Sequence, residues 1–334
     1  MARWPELMQA VILSLLFTIA LLYATLEVPR LIHGILLNHI PDYGFGNWQP
    51  ARETLNYLRP IGYVSLLAVI GLIVTGFIIK RSGFALLGSV AFHLPTFGHF
   101  AFTMFFLAGI GSLRLLWIPL LDISPVILKL GHIALLPYLL IALPASLIMK
   151  ELMSTIHLSL LEGPAALISL MFMFAGLLIF TLSTATWLYG RFKGHKLIDY
   201  WIYKMSRHPQ YLGFILWSYG LLLTTIWLGA QAPRGGYVPT PTLPWLISTL
   251  LIITVALWEE TVMIKKHGKE YLRYRESTPF MIPLPKTLAS LLRRIVKVLL
   301  RKTYPENLKE ILCLMGLCAA TLILLSIPLA LTLS

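Results

Sequence analysis

Ser206-Arg207-His208-Pro209-Gln210-Tyr211-Leu212-Gly213 opens an apolar run that continues to about residue 229. Pro209 suits the first turn of a helix, where a missing N–H costs nothing, and the run behind it is long enough to cross a hydrocarbon layer. A cluster of Arg, His and Tyr at the mouth of such a helix is costly unless something binds there. One hairpin later the chain reads Trp258-Glu259-Glu260, then Lys266-His267-Gly268-Lys269-Glu270-Tyr271-Leu272-Arg273-Tyr274. Two polar signatures therefore flank one pair of apolar helices.

The rest of the chain agrees with a membrane setting. Of 334 residues, 57% are hydrophobic and only 12% charged, with a mean hydropathy of +0.79. Soluble domains carry roughly twice that charge. About eight apolar runs meet the length of about 20 residues needed for a span, near 7–27, 57–79, 84–117, 125–149, 163–189, 208–229, 243–264 and 310–333. The fold class expected is all-α, a polytopic integral membrane protein. The first run is read as a retained helix, since it lacks a small-residue cleavage site. Pro95 breaks 84–117, as a kink or a re-entrant element.

The net charge of +13 is unevenly spread, because 17 of the 27 Lys and Arg residues lie in 190–207 and 265–309. Both clusters border membrane helices, so the positive-inside rule, not nucleic-acid binding, accounts for them. The hairpin 208–264 puts both on one face, expected to be cytoplasmic. Three units follow: N-terminal helices (1–162), a core holding the signatures (163–285) and a tail (286–334). In the tail, Leu288, Leu291, Leu292, Ile295 and Leu299 recur at helical spacing opposite Lys286, Arg293, Arg294, Lys297 and Arg301. That is a basic amphipathic helix for an anionic headgroup surface. Cys313 and Cys318 fall on different helix faces and suit no disulfide or metal spacing.

The chemistry is read from the two signatures. Unpaired N–H groups at the helix entrance favour an anion, and Arg207 adds a fixed charge. Tyr203 and Tyr211 offer aromatic faces to a cation such as a sulfonium. Glu259 and Glu260 sit at or near membrane depth, where an ionisable group is a functional candidate. Together these suit a zwitterionic ligand with an aromatic base. His93, His99 and His132 raise a haem reading, but their irregular spacing favours polar packing, and no metal site is expected.

His195-Lys196-Leu197-Ile198, Tyr203, Arg207 to Gly213, Glu259-Glu260 and Gly268 to Tyr274 with Pro279 resemble, in order and spacing, the isoprenylcysteine carboxyl methyltransferase family, which belongs with phospholipid methyltransferases. The resemblance implies an S-adenosylmethionine site with lateral access for a lipid-borne acceptor. In it His195, Lys196, Leu197, Ile198 and Tyr203 would line the cofactor cavity. Arg207, His208, Pro209, Gln210 and Tyr211 would hold its polar groups with Glu259, and Tyr271 and Tyr274 would close it. His208 or Glu260 would take a proton from an amine acceptor; a carboxylate acceptor needs no base.

Two positions depart from the family pattern. Val255 stands where members acting on prenylated cysteine have an Arg, and Trp201 stands where a small residue is usual. The first puts the prenylcysteine acceptor in question, leaving a carboxyl or amine on an amphiphile. The competing readings are an NAD(P)H-dependent reductase resembling the sterol reductases, which share an RHPxYxG-like segment, and a non-catalytic protein on the same scaffold. Glu259-Glu260 and Lys266-His267-Gly268 favour the methyl donor.

Overall fold

A computed structural model describes residues 4–36, 124–148, 162–230, 242–282, 301–302 and 304–332, with single positions at 60, 61, 64, 290, 294 and 296–298. Every regular element among them is helical: α1 (Trp4–Leu36), α2 (Leu136–Ile148), α3 (Glu162–Phe192), α4 (Pro209–Ala230), α5 (Thr242–His267), α6 (Lys269–Ser277) and α7 (Leu308–Thr332). Two 3₁₀ segments, Pro125–Leu135 and Trp201–Lys204, complete the set. Four stretches, Pro5–Tyr23, Ala165–Phe192, Trp245–His267 and Leu308–Leu331, are long and apolar enough to cross a membrane. α4 adds a helix of 22 residues. The runs at 57–79 and 84–117, the Pro95 break and most of the amphipathic segment 286–302 lie outside the described residues.

Apolar side chains also point outward, as a lipid-facing surface requires. Phe174 on α3 is 74% exposed and Leu331 on α7 is 73% exposed. With lipid outside there is no hydrophobic gain from helix association, so packing density and polar contacts must hold the helices together. α3 and α4 meet along glycines. A Cβ on Gly213 would fall 2.6 Å from the Phe180 nitrogen and 2.8 Å from the Gly176 carbonyl oxygen, and one on Gly220 would fall 2.6 Å from the Ser169 carbonyl oxygen. The glycine of the signature therefore lets two backbones touch. Around that seam Phe180, Tyr211, Phe214, Trp217, Ile252, Ala256 and Met281 form a buried layer, with Val255 and Phe280 against it.

The outer helices dock on this core through hydroxyl groups. Ser14 Oγ donates to the Thr181 carbonyl at 2.5 Å, and Thr18 shares a 3.0 Å contact with the Thr181 hydroxyl, fixing α1 on α3. α1 runs on to Leu36, beyond the expected end at 27, because an apolar run marks the lipid-buried part of a helix and not its terminus. The expected span at 125–149 begins as a 3₁₀ segment. There Gly131 presses on the backbone of Thr242 and Leu243, where a Cβ would lie 2.3 Å from the Thr242 carbonyl carbon. His132 Nδ1 is 2.9 Å from Thr242 Oγ1. His132 thus has a polar packing partner, while His93 and His99 lie outside the described residues. α7 joins through Leu246, Leu250, Ile311 and Met315.

Candidate functional site

The ends of α3 and α5, the start of α4 and all of α6 gather at one end of the bundle. Gly268 makes the turn from α5 into α6 with φ +54, ψ −126, a conformation closed to residues with a Cβ except at strain. α6 is thereby folded back over the mouth of α4, and the chain beyond it locks onto that mouth. The Arg207 N–H donates to the Pro279 carbonyl at 3.0 Å and the His208 N–H to the Phe280 carbonyl at 3.3 Å.

Arg207 spends its guanidinium on the same closure. Nε donates to Glu260 Oε1 at 2.5 Å, and Nη1 donates to the Arg275 carbonyl at 2.8 Å and to the Thr278 carbonyl. Both side chains of the Arg207–Glu260 pair are 6% exposed, and an ion pair this buried is tolerable because further hydrogen bonds, here from Nη1 to two carbonyls, offset part of the desolvation cost. Arg207 therefore ties the last turn of α6 to α5. Glu260 Oε1 also lies 3.3 Å from His208 Nε2, and the His208 ring meets Phe280 edge-on at 5.0 Å.

The neighbouring carboxylate has a different setting. Tyr211 Oη donates to Glu259 Oε1 at 2.8 Å, and His208 Nδ1 lies 3.9 Å from Glu259 Oε2. Glu259 is 32% exposed against 6% for Glu260, so it is the more accessible of the two carboxylates, while Glu260 is bound inward. His208 stands between the two. Gln210 Nε2 reaches Thr184 Oγ1 on α3 at 3.4 Å, and Pro209 is buried beneath them.

Aromatic residues wall the site. Tyr203 is buried and its carbonyl accepts the Tyr274 hydroxyl at 2.7 Å. Tyr271 and Tyr274 lie edge to face with centroids 5.9 Å apart. Burial pushes the Tyr203 phenol up, with Tyr274 and Glu259 adding and Arg191 opposing. Burial likewise raises Tyr271, aided by Glu260, and Tyr274. These hydroxyls remain protonated donors near neutral pH.

The loop 193–198 folds back on the last turn of α3. The His195 N–H donates to the Gly190 carbonyl at 2.9 Å, and Ile198 is buried against Gly190. His195 and Lys196 are exposed and Leu197 is half-buried. The structure thus brings Tyr203, Arg207, His208, Gln210, Tyr211, Glu259, Glu260, Tyr271 and Tyr274 into one cluster, and sets His195 to Ile198 along α3 beside Tyr200. Trp201 sits at φ +50, where a bulky residue is strained. It is held by stacking on Tyr189 at 5.2 Å and an edge contact with Tyr200 at 5.3 Å. Thr184 and Phe280 join the cluster without any signal in the sequence beyond their types.

The donor set suits a zwitterion: a part-exposed carboxylate beside phenols and imidazole, walled by aromatic faces. Among the described residues no group of three or more His, Cys, Asp or Glu is placed to hold a metal ion. Over 103 residues the chain is 31% identical to the protein-S-isoprenylcysteine O-methyltransferase of Schizosaccharomyces pombe, a match spanning 28% of this chain and 36% of that protein. No family model and no solved structure matches the chain.

Proposed function

We propose that the protein is an integral membrane methyltransferase that uses S-adenosylmethionine and acts on a lipid-embedded or amphiphilic acceptor. The observation that carries this reading is the Tyr211–Glu259 contact of 2.8 Å, which joins the two signatures across a helix pair at one bundle end. Held there, S-adenosylmethionine would supply an electrophilic methyl carbon on a sulfonium. Glu259 offers its carboxylate to the cationic part of the donor, and Tyr203, Tyr211 and Tyr271 offer phenol faces and neutral hydroxyls. Tyr274, anchored on the Tyr203 carbonyl, and Arg207, anchored on α6, hold the cover in place. The residues mainly align donor and acceptor and keep water out. Pro209, Gln210 and the segment His195 to Ile198 complete the cofactor wall.

His208 is the group placed to take a proton from an amine acceptor, with Glu260 orienting its ring. Val255 belongs to the apolar layer with Phe214 and Trp217, which suits an acceptor arriving from the bilayer. The two basic stretches favour a cytoplasmic face for the site, next to anionic headgroups. Calorimetry on the purified protein tests the proposal. Binding of S-adenosylmethionine without binding of NADPH is expected; binding of NADPH alone would overturn it in favour of the reductase reading.

A further inference from the structure

Three buried polar atoms at the site end of α3 and α5 have no hydrogen-bond partner among the described residues: Arg191 Nε, the Tyr200 hydroxyl and His267 Nε2. Arg191 and Tyr200 are positioned by packing. The Arg191 guanidinium lies over the Trp187 ring at 5.3 Å. The Tyr200 hydroxyl reaches to 2.6 Å from where a Cβ on Gly190 would stand, directly before Arg191 in the chain. That glycine is what admits the phenol to this spot. Arg191 and Lys196 both lie within electrostatic reach of His267, as do Lys266 and Glu270. Arg191 also lies within reach of the buried Tyr203, whose other charged neighbour is Glu259.

The Arg Nε–H is an obligatory donor and the phenol hydroxyl prefers to donate. Buried donors without an acceptor are unfavourable until a ligand supplies one. The charges facing this spot are Arg191, Lys196 and Lys266, against Glu270 and the exposed Asp199 beside Tyr200. The missing partner is therefore an acceptor with negative charge. An oxyanion with two adjacent oxygens matches the guanidinium edge, which binds carboxylate and phosphate through paired N–H groups.

We infer that Arg191 and Tyr200 form an oxyanion site that holds a carboxylate or phosphate group at the end of α3. The choice of anion rests on the methyl-donor reading above. Under it, the site takes the carboxylate of the donor's methionine portion while Glu259, across Tyr203, takes its ammonium. A lipid headgroup phosphate offers the same oxygens from the other side.

The test compares wild type, Arg191→Gln, Arg191→Lys and Tyr200→Phe in discs of neutral lipid, with S-adenosylmethionine and its decarboxylated analogue as calorimetric probes. The analogue keeps the sulfonium and lacks the carboxylate. A donor carboxylate predicts that Arg191→Gln weakens S-adenosylmethionine by about tenfold to a hundredfold, the loss expected of one charge-assisted pair. The same variant leaves the analogue nearly unchanged, and Arg191→Lys recovers part of the loss. A headgroup source predicts an unaltered preference between the probes, with Arg191→Gln losing retention of an anionic glycerophospholipid in mixed discs. If neither preference nor lipid retention changes in Arg191→Gln and in Tyr200→Phe, which deletes only a hydroxyl, the oxyanion site is wrong. A wild-type protein that binds neither probe sinks the methyl-donor proposal, and lipid retention alone then decides the site.

Discussion

Tyr211 on α4 and Glu259 on α5 are 48 residues apart in the chain and meet through one hydrogen bond of 2.8 Å. The bond aims a carboxylate that stays one-third exposed. Glu259→Ala is expected to weaken S-adenosylmethionine by about tenfold or more, in the range of a lost charged partner. Tyr211→Phe should cost less, since the carboxylate remains. The two losses should fall short of additivity in the double variant, as they do for residues in contact. Calorimetry on all four proteins measures this, and strict additivity would mean that the bond does not position the carboxylate.

Arg207 behaves as a clasp. Arg207→Ala strips buried Glu260 of its guanidinium, leaving only His208 beside it, and frees the carbonyls of Arg275 and Thr278. We expect a loss of about 3–5 kcal/mol, as for other broken buried pairs. Faster amide exchange should appear in α6 before the spans open. An unchanged melting temperature and unchanged exchange in 269–278 would show that the clasp is idle.

The glycine seam separates two kinds of glycine. Gly213→Ala must push apart α3 and α4 backbones and should destabilise by about 1–3 kcal/mol, the usual cost of overpacking. Gly316 on α7 has nothing within 4 Å of an added Cβ. There Ala should be neutral or stabilising by up to about 1 kcal/mol, through helix propensity. Melting temperatures in one detergent compare the two.

Alkaline pH should loosen the site. Tyr203, Tyr271 and Tyr274 have phenol pKa values raised by burial, so above about pH 10 the unfolded chain releases protons that the folded chain keeps. Stability is therefore full below that pH and falls as pH rises past it. Melting curves between neutral and alkaline buffer should show this slope, reduced in Tyr203→Phe.

Trp201 at φ +50 stores strain that glycine would relieve, yet glycine would also lose the stacking on Tyr189. Trp201→Gly should recover about 1 kcal/mol or more relative to Trp201→Ala, which keeps the strained backbone without the ring. Equal stabilities of the two variants would remove strain from the account.

The apolar runs and their polar ends were enough to read the hairpin. Pro209 opens α4, and Lys265, Lys266 and His267 close α5, near where the runs begin and stop. The meeting of Tyr211 with Glu259 was likewise legible, because both sit on the same end of that hairpin. The role of Arg207 was not, since its partners include carbonyls of Arg275 and Thr278, and a carbonyl leaves no mark in a sequence. The 3₁₀ character of Pro125–Leu135 was also hidden, because hydrophobicity reports burial and not helix pitch. The seam escaped for a different reason: Gly176 and Gly213 belong to different helices, and only their approach gives either a meaning.

That approach has a consequence for traffic. Two main chains in van der Waals contact along several turns cannot slide or part without breaking many contacts together, so α3 and α4 behave as one stiff post. On the proposed function, an acceptor travelling in the leaflet would enter elsewhere, on the side of α5 and its folded-back cap, where one ion pair and a few carbonyl bonds hold the cover.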